Sequence, residues 1–324
     1  MATVAAVYEP LAMAANGERK RLEQPAHSEL SVRGAPTFPR SRCLHHRWWL
    51  ALTSVARKEP EMVLTDKVAV IYGAGGDIGG AVARAFAREG ATLFVTGHIR
   101  TPVETVAQDI VSAGGSAEAA QVDALDERRV SDHLQSVIDK AGRVDISFNA
   151  VGIPNAKIVG VPLVELSVEQ FSLPIASYTT SYFLTARLAA QHMIPKRSGV
   201  IMTVTALHSR IGLPLVGGYG PAQAAKEALT RDLSAELAPH GIRVVGLRPQ
   251  GMLETRTIKE AYEPRASASG MTWEQWQELL ASRTHPRRLM TLAEMANVAV
   301  FMASDQASGM TGTTVNLTMG SMDD

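Results

Sequence analysis

Cysteine is nearly absent: Cys43 is the only one in 324 residues. A disulfide framework and a cysteine-ligated metal cluster are therefore excluded. No run of about 20 apolar residues occurs, so no membrane span is expected. Lys plus Arg and Asp plus Glu each number 32, giving a formal net charge of zero. That balance lacks the basic excess by which nucleic-acid partners are recognised. No cluster of metal-ligating side chains stands out either. Hydrophobic residues make up 46% of the chain, enough for a substantial core. The length suits one large domain or two small ones. A cytoplasmic enzyme acting on a small molecule fits these bounds.

Aspartate is missing from the first 61 residues, which hold nine Lys or Arg against six Glu. Neither a helical nor a strand period persists there. Residues 1–61 are expected to be a disordered or non-native extension. A transit-like segment and a true start at Met62 are the alternative readings. Residues 62–324 are expected to form the nucleotide-binding and catalytic domain.

The stretch from Lys67 to Gly90 organises that domain. Val68 to Tyr72 is a short, mostly β-branched run, suited to a buried strand. Gly73 to Gly80 is a glycine-rich turn. Ile78, Val82, Ala85 and Phe86 then recur at helical spacing. A strand, a glycine turn and a helix make the first unit of a dinucleotide-binding fold. Gly73, Gly76 and Gly79 let backbone amides approach a pyrophosphate, and a helix N-terminus favours its charge. Asp77 and Ile78 complete the turn. Asp77 would repel a pyrophosphate if it pointed inward, and would be harmless as a cap facing away.

The alternation continues. Strands are expected at about Ala91 to Thr96, Ala117 to Val122, Val144 to Asn149, Val200 to Thr205, Ile242 to Leu247 and Thr314 to Leu317. Helices are expected at about Gly79 to Arg88, from Thr101 to before Gly114, and at Asp126 to Ala141, Thr179 to Met193 and Pro221 to Ala238. Strands alternating with helices predict an α/β fold, a doubly wound parallel sheet in a single Rossmann-like domain. Ligands of such sheets bind beyond the carboxyl ends of the strands. That rule selects the Gly73 turn, His98, Asp123, Asn149 to Gly152, Thr205 to Arg210 and Pro249 to Thr255. After the second strand the chain reads Thr96-Gly97-His98-Ile99-Arg100, with no carboxylate to hold a ribose diol. His98 and Arg100 leave room and positive potential for a 2′-phosphate, which favours NADP over NAD.

Taken in order, these pieces resemble the short-chain dehydrogenase/reductase family. The resemblance spans about Leu64 to Gly320. It is carried by Tyr72-Gly73-Ala74-Gly75-Gly76-Asp77-Ile78-Gly79, Asp123, Asn149-Ala150-Val151-Gly152, Tyr219 with its following helix, and Pro249-Gln250-Gly251. It implies hydride transfer between a nicotinamide cofactor and a carbonyl or alcohol. It also implies that Asp123 meets the adenine, that Asn149 and Gly152 border the cofactor, and that Pro249, Gly251 and the residues to Thr255 line the nicotinamide end. Homodimers or homotetramers, packed through the helices 179–193 and 221–238, are implied as well.

The catalytic positions depart from the family pattern. Tyr219 matches the family's proton-donating tyrosine, but position 223 is Gln where the family has Lys. Gln223 can bond a ribose hydroxyl but brings no positive charge. The family serine falls at Ala206, with Thr205, His208 and Ser209 close by. The family asparagine falls near Tyr178. Lys226, two helical turns beyond Tyr219, gives a spacing that resembles the enoyl-reductase branch. Three readings follow. The first is an NAD(P)-dependent oxidoreductase favouring reduction, with Tyr219 as acid and Gln223, Thr205, Ser209 or His208 assisting. The second is a nucleotide-binding pseudoenzyme or partner subunit. The third is an enoyl-reductase-like enzyme using Tyr219 and Lys226. Met252 to Met290, with Trp273 and Trp276, is expected to cover an uncharged carbonyl substrate of moderate size.

Overall fold

The computed structural model describes residues 62–154, 159–268 and 270–323. The expectation for residues 1–61 lies outside the described residues. Seven strands form one parallel sheet: β1 (Val68–Tyr72), β2 (Thr92–Gly97), β3 (Ser116–Gln121), β4 (Ile146–Asn149), β5 (Gly199–Val204), β6 (Ile242–Pro249) and β7 (Thr313–Leu317). Their order is β3-β2-β1-β4-β5-β6-β7. The order reverses between β1 and β4, which opens a crevice beyond their carboxyl ends. Val68 aligns with Thr92 on one side of β1, and Ala69 with Ile146 on the other.

Helices cover both faces: α1 (Asp77–Arg88), α2 (Arg100–Ser112), α3 (Glu127–Ala141), α4 (Val168–Met193), α5 (Tyr219–Leu237), α6 (Arg256–Ala268), α7 (Trp273–Ser282) and α8 (Leu292–Ala303). Alternation along each strand sorts the core in two. Ala69 and Ile71 pack with Val82 and Phe86 of α1, Val106 of α2 and Met295 of α8. Val68, Val70 and Tyr72 pack with Leu134 of α3, Tyr182 of α4 and Leu233 of α5. The single α/β domain with a doubly wound parallel sheet is thus observed.

Several helices differ from the sequence expectation. Helix α4 begins at Val168 rather than near Thr179 and runs through Pro174. Its start is fixed by a capping box in which Ser167 accepts from the Gln170 N–H and Gln170 reaches back to the Ser167 N–H. Helix α5 begins at Tyr219, two residues before Pro221, so Tyr219 stands on the first turn. Helix α8 was not anticipated. It opens on another capping box, Thr291 with Glu294, and buries Met295, Ala296, Ala299, Val300, Met302 and Ala303. Among the described residues no helix is long and apolar enough to cross a membrane.

Candidate active site

A cavity of about 830 Å³ lies beyond the carboxyl ends of β1, β2, β4 and β5. That size is in the range of small-molecule and cofactor sites. The glycine turn forms its floor. Gly73 has φ of +77°, and a Cβ there would come within 2.6 Å of the Ala150 carbonyl oxygen. A Cβ on Gly79 would collide with the Gly73 carbonyl. Both positions therefore require glycine, one for backbone conformation and close approach, the other for close approach alone. Gly76 closes the turn by donating to Gly73 O at 3.1 Å and serves as the α1 N-cap, without a side chain to bond the helix. The first amides of α1 are thereby left for a ligand.

Asp77 and Ile78 also line the cavity, and helix α1 starts at Asp77 rather than Gly79. The Asp77 carboxylate accepts the Arg256 N–H at 2.9 Å. It also lies 3.5 Å from Arg256 Nε. The carboxylate is thus engaged by α6. The wall also holds His98, Asp123 and Gly152. Asp123 accepts the Leu125 N–H at 2.9 Å through one oxygen. Arg100 is placed differently. It pairs with Glu104 one turn along α2 at 2.6 Å and is absent from the lining.

Asn149, Pro249 and Gly251 support the wall without forming it. Asn149 is buried and donates to Thr185 Oγ1 at 3.1 Å, tying β4 to α4. Pro249 pairs with Leu317 in the sheet. Gly251 leaves space for Ile258, whose Cδ1 would lie 2.8 Å from a Cβ there. The lining at this end comes from Thr255, Arg256, Ile258 and Tyr262 instead.

Tyr219 faces the cavity with Tyr178, His208, Gln223 and Thr205. The Tyr219 ring meets the edge of His208 at 5.2 Å between centroids and Tyr178 at 5.7 Å. Burial pushes its phenol well above the usual tyrosine range, and Tyr178 and Tyr262 add to the rise. Gln223 is 2% exposed and stands one turn along α5 from Tyr219.

Lys226 and Ser209 are placed away from the cavity lining. Lys226 donates to the Val204 carbonyl at 2.7 Å, beneath the rings of Tyr178 and Tyr182. Burial pushes its ammonium down to about 7. Seven helical residues rotate the chain by 700°, about 20° short of two full turns. Lys226 nevertheless lies behind Tyr178, because the Val204 carbonyl captures its amine. Ser209 donates to Glu227 Oε1 at 2.5 Å, and the Thr205 hydroxyl reaches the same oxygen at 3.2 Å. Their hydroxyls are directed to this carboxylate.

Glu227 was not anticipated. Burial alone raises its pKa, but bonds from Arg248 and Ser209, the Arg248 charge and a bond from Arg210 hold it below the usual carboxylate value. Arg248 lies at 2.8 Å and Arg210 at 3.2 Å. Arg248 is 1% exposed within β6, and a buried arginine demands a buried acceptor. That was the signal available in the sequence. The result is a rigid base for the one-turn helix Leu207–Ser209, which presents His208 beside Tyr219. Among the described residues no group of three or more His, Cys, Asp or Glu is placed to hold a metal ion.

The observations fit a nicotinamide dinucleotide: a cavity at the strand-order reversal, a helix N-terminus with unspent amides, and a phenol at the far end. This combination defines a nucleotide-dependent oxidoreductase. The family model described as "Enoyl-(Acyl carrier protein) reductase" matches residues 73–321. The chain is 31% identical over 259 residues to the uncharacterized oxidoreductase YxbG of Bacillus subtilis, covering 80% of this chain and 92% of that protein. It is 28% identical to the 7alpha-hydroxysteroid dehydrogenase of Escherichia coli, covering 79% and 94%. Sorbitol-6-phosphate 2-dehydrogenase SrlD from Erwinia amylovora superimposes with a TM-score of 0.74 at 26% identity, covering 79% of this chain and all of that one. The chain belongs to the short-chain dehydrogenase/reductase family. It is an NAD(P)-dependent oxidoreductase.

Proposed function

We propose that the protein reduces an uncharged ketone or enone of moderate size, using NADPH in preference to NADH. The observation that carries this reading is Tyr219. Its phenol faces the cavity, and burial keeps it protonated. The protonated phenol can hydrogen-bond and then protonate a developing alkoxide, which is a much stronger base than a phenolate, whereas alcohol oxidation would need a phenolate that burial disfavours. Gln223 stands where the family places a lysine, and Lys226 is bonded to a backbone carbonyl. Neither supplies the charge that would acidify the phenol.

A nicotinamide bound here would supply the hydride. Tyr219 gives its hydroxyl proton to the oxygen that takes up the carbonyl electron pair. His208 stands beside Tyr219 and donates a hydrogen bond to that oxygen, the part Ala206 cannot play. Gln223 would hold a ribose hydroxyl. The amides of the Gly73 to Gly79 turn would hold the pyrophosphate, and Asp123 would meet the adenine. His98, with no carboxylate at the end of β2, supports the choice of NADP. The substrate end is apolar, walled by Ile153, Pro154, Val216, Ile258 and Tyr262. Such walls suit a substrate without charge. A homo-oligomer packed through α4 and α5 completes the reading.

The test is fluorescence titration of the full chain with NADPH and NADH, then loss of NADPH absorbance across a panel of ketones and enones. Tighter NADPH binding and turnover of uncharged ketones are expected. Equal or tighter NADH binding would remove the NADP assignment. Turnover of enones alone would favour the enoyl-reductase-like reading over ketone reduction.

A further inference from the structure

One charged pair at the cavity has no part in the chemistry above. Asp77 opens α1, where a bound pyrophosphate would draw on the same helix N-terminus. A carboxylate and a phosphate at one helix pole repel each other unless a cation stands between them. Asp77 is not aimed at open solvent. It accepts the backbone N–H of Arg256 at 2.9 Å and lies 3.5 Å from Arg256 Nε. The two residues are 179 positions apart in sequence. Their contact fastens the glycine turn to the first residue of α6, whose N-terminal amide the carboxylate caps.

Arg256 is suited to face two anions. Its side chain remains 72% exposed while paired with Asp77, and both residues line the cavity. A guanidinium carries five donors in a planar fork, so one carboxylate does not exhaust it. The backbone leading into α6 is also held. Thr255 Oγ1 donates to the Met252 carbonyl at 2.8 Å, and Ile258 packs over Gly251.

We propose that Arg256 is a dinucleotide-binding residue: drawn to the glycine turn by Asp77, it neutralises that carboxylate and supplies the cation for the pyrophosphate. Helix α6 is thereby fastened across the cavity when nucleotide binds. The inference rests on the nucleotide reading of the cavity, and Asp77 acts in it as a positioning residue.

The experiment is fluorescence titration of the full chain with NADPH and NADH, in wild type, Arg256→Gln, Asp77→Asn and the double variant. Arg256→Gln exposes the Asp77 charge to the phosphates and is expected to weaken binding about 10- to 100-fold, the usual worth of a bond to a charged group. In the Asp77→Asn background the same change is expected to cost no more than about threefold. Thermolysin digestion supplies a second readout. Nucleotide should protect the segment 252–268 in wild type and not in Arg256→Gln. Binding by Arg256→Gln within twofold of wild type would overturn the proposal, as would equal losses in the two backgrounds or no protection in wild type. A wild-type chain that binds neither nucleotide would instead withdraw the nucleotide reading itself.

Discussion

Replacing Lys226 by Met separates a buried structural cation from a catalytic one. Lys226 is 1% exposed, and burial pushes its pKa from 10.5 to about 7. The folded chain therefore holds this proton less tightly than the unfolded chain does. Between pH 7 and pH 10.5 the unfolded state binds more protons at this site, so wild-type stability rises with pH through that window. Below pH 7 the site is charged in both states, and the whole cost of burying the ammonium is felt. At about 1.4 kcal/mol per tenfold, that cost is about 5 kcal/mol. Against it stand the bond to the Val204 carbonyl, whose loss leaves a buried acceptor and costs about 1–3 kcal/mol, and the attraction of the two tyrosine rings, about 1 kcal/mol. Lys226→Met is therefore expected to stabilise the fold by about 1–3 kcal/mol at pH 7 or below. The gain should shrink and then reverse toward pH 10. Urea unfolding of the two proteins at several pH values reads this directly. Ketone-reduction rates should stay within about threefold, because the amine faces Val204 and not the cavity. Destabilisation at pH 7 or a difference independent of pH would refute the electrostatic reasoning. A large loss of activity in a folded variant would instead restore the enoyl-reductase-like role for Lys226.

Other outcomes follow from the same geometry. Glu227→Ala leaves Arg248 buried without its carboxylate and is expected to cost about 3–5 kcal/mol in urea unfolding. Gly79→Ala drives a methyl group into the Gly73 carbonyl; it should lower the melting temperature and weaken nucleotide binding together, as seen by calorimetry and fluorescence. His208→Phe keeps a ring against Tyr219 but removes the donor. It should slow carbonyl reduction about 10- to 100-fold and leave the NADPH dissociation constant unchanged.

Much of the fold is legible because strand and helix residues repeat with different periods. Val68 to Tyr72 and Val200 to Thr203 are buried, largely β-branched runs, and glycines mark the turns around them. The first turns of α4 were missed because Pro174 reads as a helix breaker, although Ser167 and Gln170 carry the capping signal. Helix α8 was missed because Met, Ala and Val surround it almost evenly, which blurs the apolar stripe that marks an amphipathic helix. Its Thr291 and Glu294 box was the available clue.

The candidate site was legible where the backbone makes it and less so where side chains choose among partners. Gly73, Gly76 and Gly79 follow from the turn itself. Asp77 has several rotamers that sequence alone cannot rank, and its choice depends on Arg256, 179 residues away. Ser209 and Thr205 stand close enough to the cavity to suggest catalysis, yet both hydroxyls turn to Glu227. Arg100 carries the charge for a phosphate, but its direction in this structure is set by Glu104, one helical turn on. In each case a long-range or neighbouring charge decides the direction of a flexible group.

The most direct test compares wild type with Tyr219→Phe in NADPH-dependent reduction of a ketone that wild type turns over, with NADPH affinity measured alongside. The account predicts a loss of about 100-fold or more in kcat and an unchanged dissociation constant for NADPH. An unchanged rate in the variant would show that Tyr219 does not deliver the proton and would contradict the account.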